Sequence, residues 1–549
     1  MANATNSCPT ELPAFCQQRH WSIYWIIIAC SLLTVGSRVV TLQNWEAKGD
    51  TVFHSANDRS RWATVRALGD HNTWEIDQVI QPGQSINWHT IDQVRHIGSD
   101  GYMHTYSSKP TLFPTMVAGI YKVLKFTTGM QITEQTLWVP RIILLLTNVL
   151  PWGVFLFFLA KLIDRVPVRD WSRYFVLAVA GFGTFLTTYT VTLNNHLPAA
   201  ISVMIASYFL CRILWQQRND WACYFVCGLF ATFAAANELP ALSFLAIVGA
   251  FCTVRSPAKT ITAFVPGVAI VLAGFFGTNY LAHGEWKAPY LHRGDGKKLL
   301  QVTGDHKETL DAEKLPEYIK GSLSTSFPKL AFKTPQVTKG DWPSTEENII
   351  RWVVRDSDSD AQYAIRHKEG SDEFAIHQWG NWYEHPGSYW LASKWERKSE
   401  VDRGQPDQML YAFHCLFGHH GVISLTPVWL LSVAGMVFLL LNERMQLRMF
   451  AVMTIVLTVV VFSFYVVYRP PMDRNYGGVT SGLRWLFWLA PLWLVCMLPI
   501  VEWLGKTRGG RFFCIFLLIA SGLSAAWSMN DPWVHPWLYQ IWDLTGLPR

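Results

Sequence analysis

Asp58 lies in Asn57-Asp58-Arg59-Ser60-Arg61, ahead of a stretch where Trp62, Val65 and Leu68 recur at three-residue spacing. The spacing predicts an amphipathic helix over 59–69 in a membrane interface, with Arg59, Arg61 and Arg66 on its polar side. On spacing alone, Asp58 caps that helix as readily as it serves as a reactive carboxylate. Lys109 precedes Pro110 at the start of the apolar stretch Thr111–Phe126, read as a short interfacial or re-entrant helix. Proline there is ordinary helix-start chemistry, and a lysine at the positive helix end suits a lipid phosphate. Snorkelling to headgroups is the plainer alternative. Arg474 and Arg484 carry the same two readings, with Arg38 a weaker case. Glu238 sits in a nearly charge-free stretch, where it either lines a polar cavity or caps a hairpin in water, but does not face lipid. His419 and His420 suit hydrogen bonding to phosphate or sugar, or interface structure. They suit a metal less, because no acidic partner lies at a recognised spacing.

The elements that position these residues are membrane helices. Of 549 residues, 50% are hydrophobic and only 16% charged, which excludes an ordinary soluble enzyme. The net charge of +6 requires no nucleic-acid partner, since basic loops on one membrane face account for it. Most of the ten cysteines lie in apolar runs, so no disulfide-stapled domain or thiolate metal site is expected. Eleven spans are expected, near 21–42, 138–160, 174–193, 197–214, 221–237, 240–254, 261–281, 422–441, 449–468, 485–504 and 512–528. The first reads as an uncleaved signal anchor. Lys and Arg crowd alternate short loops, which places those loops and the N-terminus, 1–20, inside. Two long segments then face outward, 43–136 and 282–421, the first belonging to an N-terminal membrane module, 21–281. The C-terminal helices, 422–528, lead into an outer tail, 529–549. The aromatic run Gln378–Gly387 is expected to dock on the membrane or form the acceptor side of a cleft. Asp356–Asp360 opens like a calcium loop but lacks its glycine and closing glutamate, and reads as a solvated turn.

Asn57-Asp58-Arg59-Ser60-Arg61, followed by Gly101-Tyr102 and Tyr106-Ser107-Ser108-Lys109-Pro110, resembles the first outer loop of GT-C fold glycosyltransferases. That family includes the protein O-mannosyltransferases and the lipid A aminoarabinose transferases. The likeness covers residues 20–130 and is topological beyond them. It implies an all-α polytopic fold with a mixed outer segment. It also implies a catalytic acid just past the first span, at Asp58, and a Tyr-x-x-Lys-Pro-Pro segment binding the lipid carrier, at Tyr106 and Lys109. Here Thr111 replaces the second proline, and Asn57-Asp58 replaces the common Asp-Glu pair.

The implied reaction moves a hexosyl or pentosyl group from a polyprenyl-phosphate donor in the membrane to a hydroxyl on an unidentified glycan, lipid or protein. A carboxylate must take the hydroxyl proton, for which Asp58 is the candidate. Cations must meet the charge on the departing phosphate, for which Lys109, Arg484 and Arg474 are the candidates. No cofactor is needed beyond the lipid-linked donor, and no nucleotide loop is present: Gly294-Asp295-Gly296-Lys297-Lys298 lacks the spacing. The expected location is the inner membrane, with chemistry on the outer, periplasmic face. Two rivals share parts of this pattern: a polyprenyl-linked glycan polymerase or ligase, and a transporter or flippase of lipid-linked sugars. The transporter predicts paired broken helices in two halves, which the sequence does not display.

Overall fold

A computed structural model describes residues 14–44, 50–83, 86–304, 317–326, 335–340, 349–356, 362–391, 403–441 and 445–546. The chain divides into two compact units: a helical one (1–54, 130–272 and 400–549) and a mixed α/β one (55–129 and 273–399). Of the calcium-like stretch Asp356–Asp360, Asp356 ends a strand and 357–360 lie outside the described residues.

The helical unit follows from long apolar runs, because in a bilayer a helix satisfies its own backbone. Among the described residues, eight helices are long and apolar enough to cross a membrane: His20–Thr41, Trp138–Ile163, Asp170–Val191, His196–Trp215, Pro257–His283, Leu447–Tyr468, Arg484–Leu504 and Arg508–Trp527. Pro257–His283 runs on into the mixed unit. Three expected spans fall on shorter apolar helices, Trp221–Asn237, Leu239–Arg255 and Trp429–Leu441. Among the described residues, eight of the eleven expected spans meet the full length. Gly228 and Gly267 let two helix backbones meet: a Cβ on Gly228 would strike the Phe264 carbonyl, and one on Gly267 the Phe225 carbonyl.

The mixed unit contains seven described strands. A two-stranded ribbon pairs β1 (Gln93–Ile97) with β2 (Met103–Ser107). An antiparallel sheet is built from β3 (Lys298–Thr303), β4 (Pro335–Lys339), β5 (Ile349–Asp356), β6 (Gln362–Lys368) and β7 (Glu373–Gln378), in the order β3-β7-β6-β5-β4. Trp352 lies opposite Ile365, and Ile365 opposite Ile376, so one face buries a row of large apolar side chains with Val354, Tyr363 and Phe374.

Arg351, on β5, is buried between two carboxylates. Its Nε and Nη2 donate to Asp295 at 2.6–3.0 Å, and its Nη1 donates to both oxygens of Glu384 at 2.7 and 2.8 Å. The run Gln378–Gly387 is therefore packed, not docked on a membrane: Trp382 and Tyr383 are buried, and Glu384 closes this ion pair.

The first helix of the mixed unit runs Ala56–Arg66 and continues as a wider turn, Ala67–His71. It is buried along nearly its whole length and does not lie amphipathically in an interface. The helix Leu112–Thr128 covers it: Gly69 abuts the Tyr121 ring, and Tyr121 Oη donates to Asp70 at 2.9 Å. The arginines find partners within the unit. Arg61 donates to the Asn57 carbonyl at 2.9 Å, Arg66 lies 4.9 Å over Trp88, and Arg59 reaches the His89 carbonyl at 2.9 Å. The covering helix presents Met116, Val123 and Phe126 outward.

Thr111, which stands where the resembled motif has its second proline, explains that departure. Its buried hydroxyl meets Thr278 Oγ1 at 2.9 Å and donates to Asn279 Oδ1 at 2.8 Å. Thr111→Val strands Asn279 Oδ1 without this donor and is expected to cost about 1–2 kcal/mol, read as a lower Tm of the detergent-solubilised protein.

Candidate active site

In the mixed unit, Asp58 is the third residue of its helix and not the cap. Ser55 caps, with Oγ accepting from the Asn57 and Asp58 amides, while Asp58 Oδ1 accepts from Ser55 N–H at 2.8 Å. This is a reciprocal capping box. The same oxygen accepts from Arg59 N–H at 2.8 Å and lies 3.3 Å from Ser55 Oγ. The expected N-cap role thus moves by three residues, and the carboxyl group is wholly buried.

One turn of helix ties Asp58 to Lys109. Ser60 Oγ donates to the Asp92 carbonyl at 2.6 Å and lies 2.6 Å from Ser107 Oγ, which accepts from Lys109 N–H at 3.2 Å. Lys109 Nζ lies 2.9 Å from Asp92 Oδ2. The lysine therefore has a carboxylate partner within the fold, in place of the headgroup reach of a snorkelling side chain.

Tyr106 is buried at the end of a column of rings. It stacks on His96 at 4.2 Å, His96 on Trp382 at 4.1 Å, and Trp382 on His292 at 3.5 Å. Its hydroxyl donates to Glu75 Oε1 at 3.4 Å, and burial, with that carboxylate, holds its pKa above the usual tyrosine range. Burial lowers His96 and His292 to about 4, so both rings are neutral at neutral pH. The unfolded chain protonates histidine near 6.5, so below that pH it binds more protons than the column does. The contribution of these rings to stability is complete above about 6.5 and is lost as pH falls towards 4. His104 acts in the opposite sense. Burial lowers its pKa, but Asp100, Glu75 and Asp77 outweigh that, so its share is present below 6.5 and fades as pH rises. Because the lowered rings outnumber the raised one, the Tm is expected to drop between pH 6.5 and 4. His96→Phe, which keeps the stack without the titration, should flatten the profile in calorimetry.

In the helical unit, the turn 474–484 gathers the remaining candidates. Arg474 donates from Nε to the Arg469 carbonyl at 3.2 Å and from Nη1 to the Pro406 carbonyl at 3.1 Å, which secures the loop. Gly477 and Gly478 take φ of +100° and +76°, and the Gly477 carbonyl accepts from Arg484 Nε and Nη2 at 3.1 and 2.8 Å. Arg484 Nη1 lies 2.9 Å from His196 Nε2, and His196 Nδ1 pairs with Glu238. Asn195 Nδ2 donates to the same Glu238 oxygen at 2.6 Å. Glu238 is buried and is not a hairpin cap in water.

His419 and His420 lie on a turn after the helix Gln408–Leu416, so adjacent rings point the same way, 2.6 Å apart at their Nδ1 atoms. Gly418 permits this, since a Cβ there would collide with His414. His420 stacks on Tyr476 at 4.6 Å, and burial among His419, His535 and His414 holds it well below the ordinary histidine pKa. Among the described residues no group of three or more His, Cys, Asp or Glu side chains is arranged to hold a metal. A small apolar cavity of about 20 Å³ is lined by Phe185, Trp429 and Phe487, and by Gly482, Leu483 and Leu486 on either side of Arg484 in the chain.

The spacing-based reading missed His196, although His196 begins the helix His196–Trp215 and Asn237-Glu238 ends the next one, Trp221–Asn237. It also missed the ring column, whose members are far apart in the chain.

No protein-family model and no curated protein matches the sequence. Among solved structures, the chain is similar to the Saccharomyces cerevisiae protein O-mannosyltransferase Pmt1–Pmt2 complex bound to its sugar donor. The TM-score is 0.48 and identity 10%, over 95% of this chain and 92% of that one. It is also similar to the apo oligosaccharyltransferase of Archaeoglobus fulgidus, with a TM-score of 0.40 and 10% identity, over 95% of this chain and 57% of that one.

Proposed function

We propose that the protein is an integral-membrane glycosyltransferase of GT-C type. It transfers a sugar from a polyprenyl-phosphate donor to a hydroxyl acceptor on the outer face of the membrane. The acceptor oxygen bonds to the anomeric carbon and its proton passes to Asp58. The bond from that carbon to phosphate breaks, and the electron pair leaves on polyprenyl phosphate, where Lys109 meets the charge. Tyr106 fixes the loop that carries Lys109. Arg474 holds the turn that carries Arg484, and His419 and His420 pack against that turn. The observation that supports this reading is the Ser60–Ser107–Asp92 network, which brings the helix of Asp58 and the loop of Lys109 into one hydrogen-bonded structure. A carboxylate for the proton and a cation for the phosphate are the minimum that a single displacement requires.

The test is release of polyprenyl phosphate by the liposome-reconstituted chain, offered a panel of polyprenyl-phosphate sugars and hydroxyl acceptors. Protein-dependent release from one donor identifies the sugar. No release across the panel, with sugar flux across the liposome instead, overturns the proposal in favour of transport.

A further inference from the structure

We propose that His196 is a positioning residue for Arg484, a neutral imidazole that holds the guanidinium ready for the phosphate of a polyprenyl-phosphate lipid. This rests on the donor reading above and extends it to a residue that reading does not use.

The argument begins with which atoms can donate. A guanidinium only donates, so His196 Nε2, 2.9 Å from Arg484 Nη1, must accept. The ring proton then sits on Nδ1, which faces Glu238 Oε1, and a carboxylate only accepts. The two ends of the imidazole thus meet partners of opposite kind, and one tautomer satisfies both. Asn195 fixes the far end, with one Nδ2 donating to Glu238 Oε1 at 2.6 Å and to the Asn237 carbonyl at 2.9 Å. His196 is 2% exposed and Glu238 6%, so water does not compete for these bonds. A protonated ring would set an N–H against the Arg484 N–H and release it.

Arg484 is held from the other side as well. Its Nε and Nη2 reach the Gly477 carbonyl, and its Cζ lies 5.1 Å over the Trp533 ring. Three of five N–H groups are thereby engaged. One on each terminal nitrogen meets no acceptor among the described residues, and the side chain is only half-buried. Those two N–H groups form the fork that grips two phosphate oxygens. A fork already fixed by His196 and Gly477 has less freedom to lose on binding. Lysine at 484 could not keep both holds.

The experiment measures binding of a short-chain polyprenyl phosphate to the full chain in nanodiscs, for the native protein, Arg484→Ala, His196→Phe and the double variant. Arg484→Ala is expected to weaken binding roughly ten- to a hundredfold and His196→Phe about tenfold. The double variant should bind no more weakly than Arg484→Ala alone, because His196 acts only through the arginine. Additive losses would make His196 a general structural residue and overturn the inference, as would native-like binding by Arg484→Ala. Either result leaves the donor reading standing on Asp58 and Lys109. No binding by the native chain overturns both. Should His196→Phe fail to fold, Glu238→Gln takes its place, keeping an acceptor for Nδ1–H without the charge, with the same non-additivity expected.

Discussion

Asparagine in place of Asp58 is expected to abolish transfer, lowering kcat by roughly a hundredfold to ten-thousandfold, the usual contribution of a positioned proton acceptor. The choice of asparagine matters because Asp58 also has a structural task. Its Oδ1 accepts from the Ser55 and Arg59 amides, both at 2.8 Å. An amide oxygen in the same place accepts the same bonds, so the start of the Ala56–Arg66 helix should survive. What disappears is the capacity to take a proton. The measurement is donor turnover beside Tm: turnover lost with Tm nearly unchanged assigns the chemistry to the carboxylate. Native turnover in Asp58→Asn would leave Asp58 with its capping task alone and send the search for a base elsewhere. Alanine would confuse the two, since it removes cap and acid together.

The second large effect concerns stability. Arg351→Met is expected to destabilise the mixed unit by about 3–5 kcal/mol, because it removes the guanidinium hydrogen-bonded to both buried carboxylates and leaves Asp295 only the more distant Arg366, at 3.8 Å. All three side chains are 7% exposed, so water cannot replace the guanidinium. At a few degrees per kcal/mol, calorimetry should find the unit melting about 10 °C or more below native. A triple variant, Arg351→Met with Asp295→Asn and Glu384→Gln, removes the charges together and should recover most of the loss. If the single variant melts like the native chain, the three groups are not the buried cluster described.

The sequence disclosed the helices far better than the sheet. Apolar runs such as Leu447–Tyr468 need no partner to be recognised, whereas 221–237, 240–254 and 422–441 are apolar but yield short helices. In β5, charged and apolar residues alternate irregularly around Arg351, whose charge is cancelled by residues distant in the chain, so the strand signal was hidden. The helix after Ser55 was visible in the Trp62–Val65–Leu68 spacing, but its burial was not. Three arginines argued for water, and their partners Trp88, His89 and Asn57 appear only in the fold. Ser55 with Asp58 three places on forms a capping box whose residue types are readable in the sequence. Asp58, Tyr106 and Lys109 stand out as candidates because each lies in a short motif of its own, Asn57–Arg61 or Tyr106–Pro110. His196 does not, since its meaning comes from Glu238 and Arg484 on two other helices.

The mixed unit is woven from two stretches, 55–129 and 273–399, with the chain of the helical unit running between them. That has a consequence in time. His96 and Tyr106 emerge during synthesis long before His292 and Trp382, the rings that complete their column. At about 5–20 residues per second, roughly 15–55 seconds separate Tyr106 from Trp382. Through that interval the early half stands open at its stacking face, a surface for a chaperone to shield. The candidate catalytic carboxylate therefore lies in a body that cannot close until most of the protein has been made.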